Sequence, residues 1–269
     1  MKSEKVLLGL GALITADLLY NGVKYCYNLF YNDTTYMKKI LITGYSHSGT
    51  TILKSIIGHI DNVHEIIDET DIVTQNHLTD AKNNNKDIVL IKRPILTKKD
   101  ILHDLYKDYI KIFIMRDPRY VFSSINKRSD HNFSQNFMNS NKWHNAYDYT
   151  NIMKQFKHLS DNPKEGIYTI KYEDLFDNNY EKLKYILDSI GLDYTDRIFN
   201  NSSYTNYSHS SVVNVPDEKP ENSDHRNFRT WQINQPFNNK NIPSKIDLTK
   251  EQAMYINESI TIQSVYPNN

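Results

Sequence analysis

Residues 38–51, KKILITGYSHSGTT, decide the fold. The apolar run KKILITG ends at Gly44 and is typical of a buried strand. The polar segment GYSHSGTT follows, and apolar residues then recur at helical spacing up to His59. A strand, a glycine-bearing loop and a helix in this order create an anion site, because N–H groups at the helix start converge and the helix dipole favours negative charge. The sequence therefore predicts a phosphate-binding loop.

Further strands and helices alternate along the chain. The strand patterns are DIVLIK (Asp87–Lys92), YIKIFIM (Tyr109–Met115) and GIYTIKY (Gly166–Tyr172). Helices are predicted at Lys98–Lys107, from Pro118 to about Lys127, from about Asn139 to Leu159, up to Ile190 before Gly191, and after the Thr249–Gln252 capping box. This alternation predicts an α/β fold, a P-loop-like three-layer αβα domain with a central parallel sheet.

The first 36 residues form a separate unit in the sequence. Residues 6–31 begin with the uncharged run VLLGLGALITA, which Asp17, Asn21 and Lys24 then interrupt. The alternatives are an uncleaved signal-anchor, a cleaved signal peptide, or a helix that lies on a membrane or on the domain. The signal-anchor is favoured. We thus expect an N-terminal hydrophobic helix with a linker in residues 1–36, an α/β domain in residues 37–269, and a single-pass membrane-anchored protein, otherwise a cytoplasmic one.

Charge and cysteine content exclude several classes of protein. The 32 Lys and Arg residues balance 32 Asp and Glu residues, whereas a dedicated nucleic-acid binder would show a basic excess. The single cysteine, Cys26, excludes an internal disulfide and a cysteine-based zinc module. The ten histidines are scattered, and no group has metal-ligand spacing, so we predict no metal.

Two anion-binding motifs follow one another in the chain. Gly44 and Gly49 have the Walker A spacing, but Thr50 replaces the lysine that neutralises the phosphates of a nucleoside triphosphate. Arg116 ends the third predicted strand, and Ser124 lies eight positions further on. Ligands bind at the carboxyl ends of parallel strands, so these two residues can hold a second phosphate. The alternative is an ion pair of Arg116 with a nearby aspartate, Asp104 or Asp117.

The two motifs together resemble the sulfotransferase superfamily, which uses 3′-phosphoadenylyl sulfate. SHSGTT is similar to the family's 5′-phosphosulfate loop, P-[KR]-S-G-T-T, and RDPRYVFSS to its 3′-phosphate motif, R-D-P-R-x-x-x-x-S. IKYEDL (Ile170–Leu175) and FRTWQI (Phe228–Ile233) resemble two further family blocks. The resemblance is closer to the glycan and tyrosyl-protein branches than to the cytosolic branch.

The resemblance assigns roles to individual residues. It implies that the 5′-phosphosulfate is held by Ser46, His47, Ser48, Gly49, Thr50 and Thr51, and the 3′-phosphate by Arg116 and Ser124. Tyr172 would line the adenine, and Arg226 or Arg229 would cap the nucleotide. His47 departs from the family, which has Lys or Arg there to donate to the bridging oxygen. A histidine can also donate.

Catalytic residues are also implied by the resemblance. Lys92 lies in VLIKRP, which resembles a K-x-P block, and a lysine there can reach the transferring sulfuryl group, with Arg93 as a weaker candidate. A base must take the acceptor proton. In HEIIDET the best match to the family is Glu69, followed by Asp68 and Glu65.

These assignments imply a sulfotransferase that acts on a hydroxyl acceptor: a glycan, a tyrosyl protein or a small alcohol. The polar segments 130–141 and 200–227 favour a polar acceptor such as a sugar. The alternatives are a P-loop kinase of small molecules, or a nucleotide-binding module without turnover.

Overall fold

A computed structural model describes residues 37–67, 69–94, 101–126, 145–200, 231 and 246–267. In these ranges the strands are β1 (Lys38–Gly44), β2 (Val63–Glu65), β3 (Ile88–Pro94), β4 (Tyr109–Met115) and β5 (Ile167–Lys171). The helices are α1 (Thr50–Gly58), α2 (Gln75–Asn83), α3 (Pro118–Asn126), α4 (Ala146–Asp161), α5 (Glu181–Ile190), α6 (Lys250–Glu258) and α7 (Ile260–Val265).

The described strands form one sheet in the order β2-β3-β1-β4-β5, with every neighbouring pair parallel. From β1 the chain passes to the edge strand β2 and returns to β3 on one side, and it then crosses to β4 and β5 on the other. The direction of winding therefore reverses between β1 and β4, where Gly44 aligns with Ile114. Open parallel sheets bind ligands beyond the carboxyl ends of the strands at such a reversal.

Both faces of the sheet are covered, as β4 shows. Ile112 and Ile114 belong to a buried cluster that includes apolar residues of α1 and α5. The intervening Phe113 belongs to a second cluster, formed with α3, α4 and α7. Parallel sheets that are buried on both faces read as continuous apolar runs, as β4 does. The predicted three-layer α/β fold is confirmed.

Most predicted elements are present, and their end signals act as expected. The four predicted strands correspond to β1, β3, β4 and β5. Gly191 ends α5 in the left-handed conformation, with φ of 69°. The capping box of Thr249 and Gln252 starts α6. The last predicted helix is interrupted at Ser259, which caps α7 by accepting a hydrogen bond from Ile262 N.

Two predictions about helices were wrong, and one helix was not predicted. Of the helix predicted at Lys98–Lys107, the described residues form only a 3₁₀ turn at Asp104–Tyr106, because the chain must enter β4 at Tyr109. α2 was missed, since it buries only Leu78 and Ala81 and so lacks a strong apolar period. α4 begins at Ala146, where Asn145 caps it through Asp148 N, and not near residue 139.

Several predictions concern residues outside the described ranges. These are the N-terminal segment 6–31, Asp68, Arg226 and Arg229, together with the variable segment 130–141 and residues 201–227 of the variable segment 200–227. Within the part of the chain that is described, none of the helices has the length and apolar character needed to cross a membrane.

Candidate active site

The loop after β1 passes through two positions that only glycine fits. A Cβ atom on Gly44 would lie 2.0 Å from the carbonyl oxygen of Ile114 in the neighbouring strand. Gly49 has φ of 94° and caps α1, and a Cβ there would lie 2.3 Å from Cδ2 of Tyr172. Gly44 thus lets the loop leave the sheet beside β4, and Gly49 brings the start of α1 against the Tyr172 ring.

The start of α1 has the groups that an anion needs. The first N–H groups of a helix have no intrahelical acceptor, and the first turn of α1 carries no acidic residue. Ser48 N donates to Tyr45 O at 3.1 Å, which curls the loop around the helix start. The Ser48 hydroxyl is buried and has no hydrogen-bond partner among the described residues. Since buried polar groups are normally paired, this hydroxyl fits an oxygen-rich ligand at the loop.

Arg116 follows β4 directly and lies on the ring of Tyr172, with 4.2 Å between its Cζ atom and the ring centroid. The backbone around it is fixed, because Tyr149 Oη donates to Arg116 O at 3.1 Å. The next residue, Asp117, accepts from Arg119 Nε at 2.9 Å. The acid beside Arg116 is therefore paired with Arg119, and the guanidinium of Arg116 packs on an aromatic face.

His47 joins the two anion-binding motifs. Its Nδ1 atom lies 2.9 Å from Oγ of Ser124, a residue of α3. The backbone of His47 has φ of 65°, an uncommon conformation for a non-glycine residue. The loop after β1 and the helix after β4 therefore meet at the point where the winding of the sheet reverses.

Lys92 is a buried lysine, 3% exposed, near the carboxyl end of β3. Its Nζ atom donates to Thr51 Oγ1 at 3.0 Å and lies 3.1 Å from Oε1 of Glu69. β3 is the direct neighbour of β1, which brings Lys92 to the first turn of α1. The structure thus unites the predicted base, the predicted lysine and the loop in one chain of contacts.

The other acids and bases of this region have different partners. Glu65, an alternative base, pairs with Lys54 at 3.0 Å, and both side chains are less than 10% exposed. Arg93, the weaker candidate for the role given to Lys92, pairs with Asp71 at 2.7 Å. Glu65 is therefore part of a buried ion pair, whereas the Glu69 side chain is 24% exposed and accessible to an acceptor.

Three residues of this region were missed by sequence reasoning: Tyr149, Glu173 and Lys54. Glu173 is buried and accepts from Asp117 N at 3.0 Å, which holds the turn after β4. Burial raises the pKa of its carboxyl, although the hydrogen bonds and Arg116 act in the opposite direction. Only Lys54 could have been noticed in the sequence, as a charged residue on the apolar side of α1.

In the described ranges, no three His, Cys, Asp or Glu side chains come together as a metal site would require.

Comparisons with known proteins agree with this arrangement. A family model described as "Sulfotransferase family" matches residues 73–196, which include Lys92, Arg116, Ser124 and Tyr172. No curated protein sequence matches the chain.

Solved structures also resemble the chain. The mouse sulfotransferase SULT7A1 complexed with PAP superposes with a TM-score of 0.53 at 13% identity, over 88% of this chain and 87% of that one. The sulfotransferase domain from the Synechococcus PCC 7002 olefin synthase gives a TM-score of 0.45 at 15% identity, over 87% and 96%. The domain from the curacin biosynthetic pathway gives 0.44 at 12%, over 82% and 97%. The mouse protein supports the fold. The family match over residues 73–196, preceded by a fitting phosphate loop, supports the resemblance to the sulfotransferase superfamily.

Proposed function

We propose that this protein is a sulfotransferase that transfers a sulfuryl group from 3′-phosphoadenylyl sulfate to a hydroxyl of a glycan or another polar acceptor. The observation that carries the proposal is the 2.9 Å contact between His47 Nδ1 and Ser124 Oγ. This contact makes neighbours of the loop after β1 and of the Arg116 motif. A nucleotide with anionic groups at both its 5′ and 3′ positions requires two adjacent anion sites of this kind.

The residues present fit such a donor. At the 5′ side are the N–H groups at the start of α1, the buried Ser48 hydroxyl and the side chains of Thr50 and Thr51. At the 3′ side, Arg116 offers a planar fork of donors that matches a phosphate, and Ser124 offers a hydroxyl. The mouse protein in the comparison is complexed with PAP, which supports the same ligand class here.

The proposed reaction is an in-line displacement. The bond from the acceptor oxygen to sulfur forms as the bond from sulfur to the leaving phosphate oxygen breaks. Glu69 accepts the proton of the acceptor hydroxyl. The ammonium group of Lys92 stabilises negative charge on the transferring group, and the loop N–H groups and His47 stabilise the departing phosphate.

The partners of Lys92 support this division of roles. Its Nζ atom lies between Glu69 Oε1 and Thr51 Oγ1, so one ammonium group touches both the proposed base and the donor loop. Only the Lys92 side chain therefore lies between the proposed base and the 5′ anion site. This closeness supports a base that acts on a hydroxyl attacking a group held at that loop.

The acceptor and the location of the protein are proposed from sequence alone. The polar segments 130–141 and 200–227 support a sugar-like acceptor over an apolar one. Residues 6–31 support membrane attachment as a signal-anchor. Carbonate extraction of membranes from cells that express the full chain tests the anchor, which requires that the protein stays with the lipid.

Two alternatives remain distinguishable. A P-loop kinase would bind ATP in a magnesium-dependent manner, although Thr50 occupies the position of the nucleotide-binding lysine. A binding module would hold the nucleotide without turnover because His47 replaces Lys or Arg. In that case the His47→Lys variant would gain transfer activity that the parent lacks.

The test is calorimetric titration of adenosine 3′,5′-bisphosphate into the full chain, with and without magnesium. Micromolar binding without metal, with no competition from ATP, supports the proposal. A screen of sugars, tyrosyl peptides and small alcohols as acceptors then follows. Binding of ATP with magnesium, and none of the bisphosphate, would overturn the proposal in favour of the kinase.

A further inference from the structure

We infer that Tyr172 is a positioning residue that holds Arg116 ready for the 3′-phosphate, so that its ring sets the preference for nucleotides that carry this phosphate. The inference rests on the proposed donor and gives Tyr172 a role other than lining the adenine. It is drawn from three sets of contacts around the ring.

The first contact is with Arg116. Its guanidinium carbon lies 4.2 Å from the centroid of the Tyr172 ring, within the range of a cation–π interaction. Tyr120 is the second ring near this guanidinium, at 5.6 Å. The backbone of Tyr172 is held beside Arg116, because Tyr172 N donates to Met115 O at 2.7 Å. The aromatic support and the strand end that carries Arg116 are thus joined.

The second contact is with the loop after β1. The Tyr172 ring lies so close to Gly49 that a Cβ atom there would come within 2.3 Å of Cδ2 and 2.8 Å of Cε2. The ring therefore fills the space between the 5′ anion site and Arg116. A residue that touches both sites fixes the distance between them.

The third contact lies at the edge of the ring, away from the face that carries Arg116. Phe176 packs edge-on against it, with 5.6 Å between the ring centroids and an interplanar angle of 78°. The residue is 7% exposed. A buried ring with the arginine on its face presents little free surface to an adenine. These contacts favour support of Arg116 over stacking on the base.

This arrangement has a measurable consequence. An arginine side chain loses considerable rotamer freedom on binding a phosphate, and a preformed support removes part of that cost. Loss of the ring should weaken binding of adenosine 3′,5′-bisphosphate about 10-fold, the scale of a partly desolvated cation–π contact. Binding of adenosine 5′-monophosphate should stay unchanged, because it has no 3′-phosphate for Arg116 to hold.

Calorimetry of the full chain with these two nucleotides tests the inference. Tyr172→Leu and Tyr172→Met keep apolar volume but remove the aromatic face, and the second serves if the first does not fold. Tyr172→Phe keeps the face. Phe176→Leu is the matched control, because it removes a neighbouring ring of the same cluster but leaves the Tyr172 face that carries Arg116. We expect the ratio of the two affinities to fall about 10-fold in the Leu and Met variants only.

Three results would overturn the inference and leave the proposed donor standing. An equal loss of affinity for both nucleotides in Tyr172→Leu would mean that the ring binds the adenine. The same change of ratio in Phe176→Leu would mean a general packing effect. If the parent prefers the bisphosphate and the Leu and Met variants keep that preference, the role of Tyr172 is excluded. A parent that binds both nucleotides equally would instead overturn the proposed donor, and the inference with it.

Discussion

His47 and Ser124 are joined through Nδ1 and Oγ at 2.9 Å, although 77 positions of sequence separate them. The contact crosses from the loop after β1 to α3. It gives His47 a second role, in addition to the donation of a hydrogen bond to the leaving oxygen that the family resemblance implies. The imidazole orients the hydroxyl that would bind the 3′-phosphate, and so links the two ends of the proposed donor.

Removal of either partner of this contact should weaken nucleotide binding in a coupled way. His47→Ala and Ser124→Ala should each weaken binding of adenosine 3′,5′-bisphosphate. The double variant should lose about 0.5–1.5 kcal/mol less than the sum, the net value of a hydrogen bond. Calorimetry of the four proteins measures this coupling. Strictly additive losses would show that the contact does not matter for binding.

The second prediction compares Glu69 and Glu65, each of which is paired with a lysine. Glu69→Gln should lower turnover about 10²–10⁴-fold, the usual contribution of a general base. It should cost less stability than Glu65→Gln, because Glu69 is 24% exposed and Lys92 keeps its hydrogen bond to Thr51. Glu65→Gln should instead destabilise the protein by about 3 kcal/mol, because Lys54 would remain buried without its carboxylate partner. Transfer assays and urea unfolding of both variants separate the two roles. Full stability with lost turnover in Glu65→Gln would make Glu65 the base.

The sequence predicted the parts of the fold and of the site that local patterns encode. β1, its loop and α1 are continuous in the chain, so spacing and apolar period suffice to define them. β2 has three residues and α2 buries only two side chains, so neither produces such a pattern. The Lys54–Glu65 pair and the Tyr172–Arg116 stack form only after the elements pack, and single residues in a sequence do not show their partners.

A third prediction compares two glycines. Gly44→Ala should destabilise the protein by about 3 kcal/mol or more, because a methyl group 2.0 Å from the backbone oxygen of Ile114 would force β1 and β4 apart. Gly191→Ala should cost about 1–2 kcal/mol, the strain of a left-handed residue with no close neighbour. Urea unfolding of both variants measures the difference. Equal losses would mean that the crowding at β4 relaxes at no cost.

The last prediction concerns the pH dependence of stability through Glu173. Burial raises the pKa of this carboxyl above its ordinary value of 4.5. Between the unfolded and the folded pKa the folded protein holds the extra proton, so stability falls as the pH rises through this window. At neutral pH the buried carboxylate therefore opposes folding.

Glu173→Gln should remove this cost and keep the structure, because an amide oxygen can still accept from Asp117 N. We expect the variant to be more stable than the parent at about pH 7, and the difference to shrink as the pH falls toward about 4.5, the unfolded value. Urea unfolding at a series of pH values measures it. The matched control is the next residue, in Asp174→Asn, since Asp174 is partly exposed and paired with Lys182. A Glu173→Gln curve parallel to that of the parent would show that the carboxyl is not perturbed by burial.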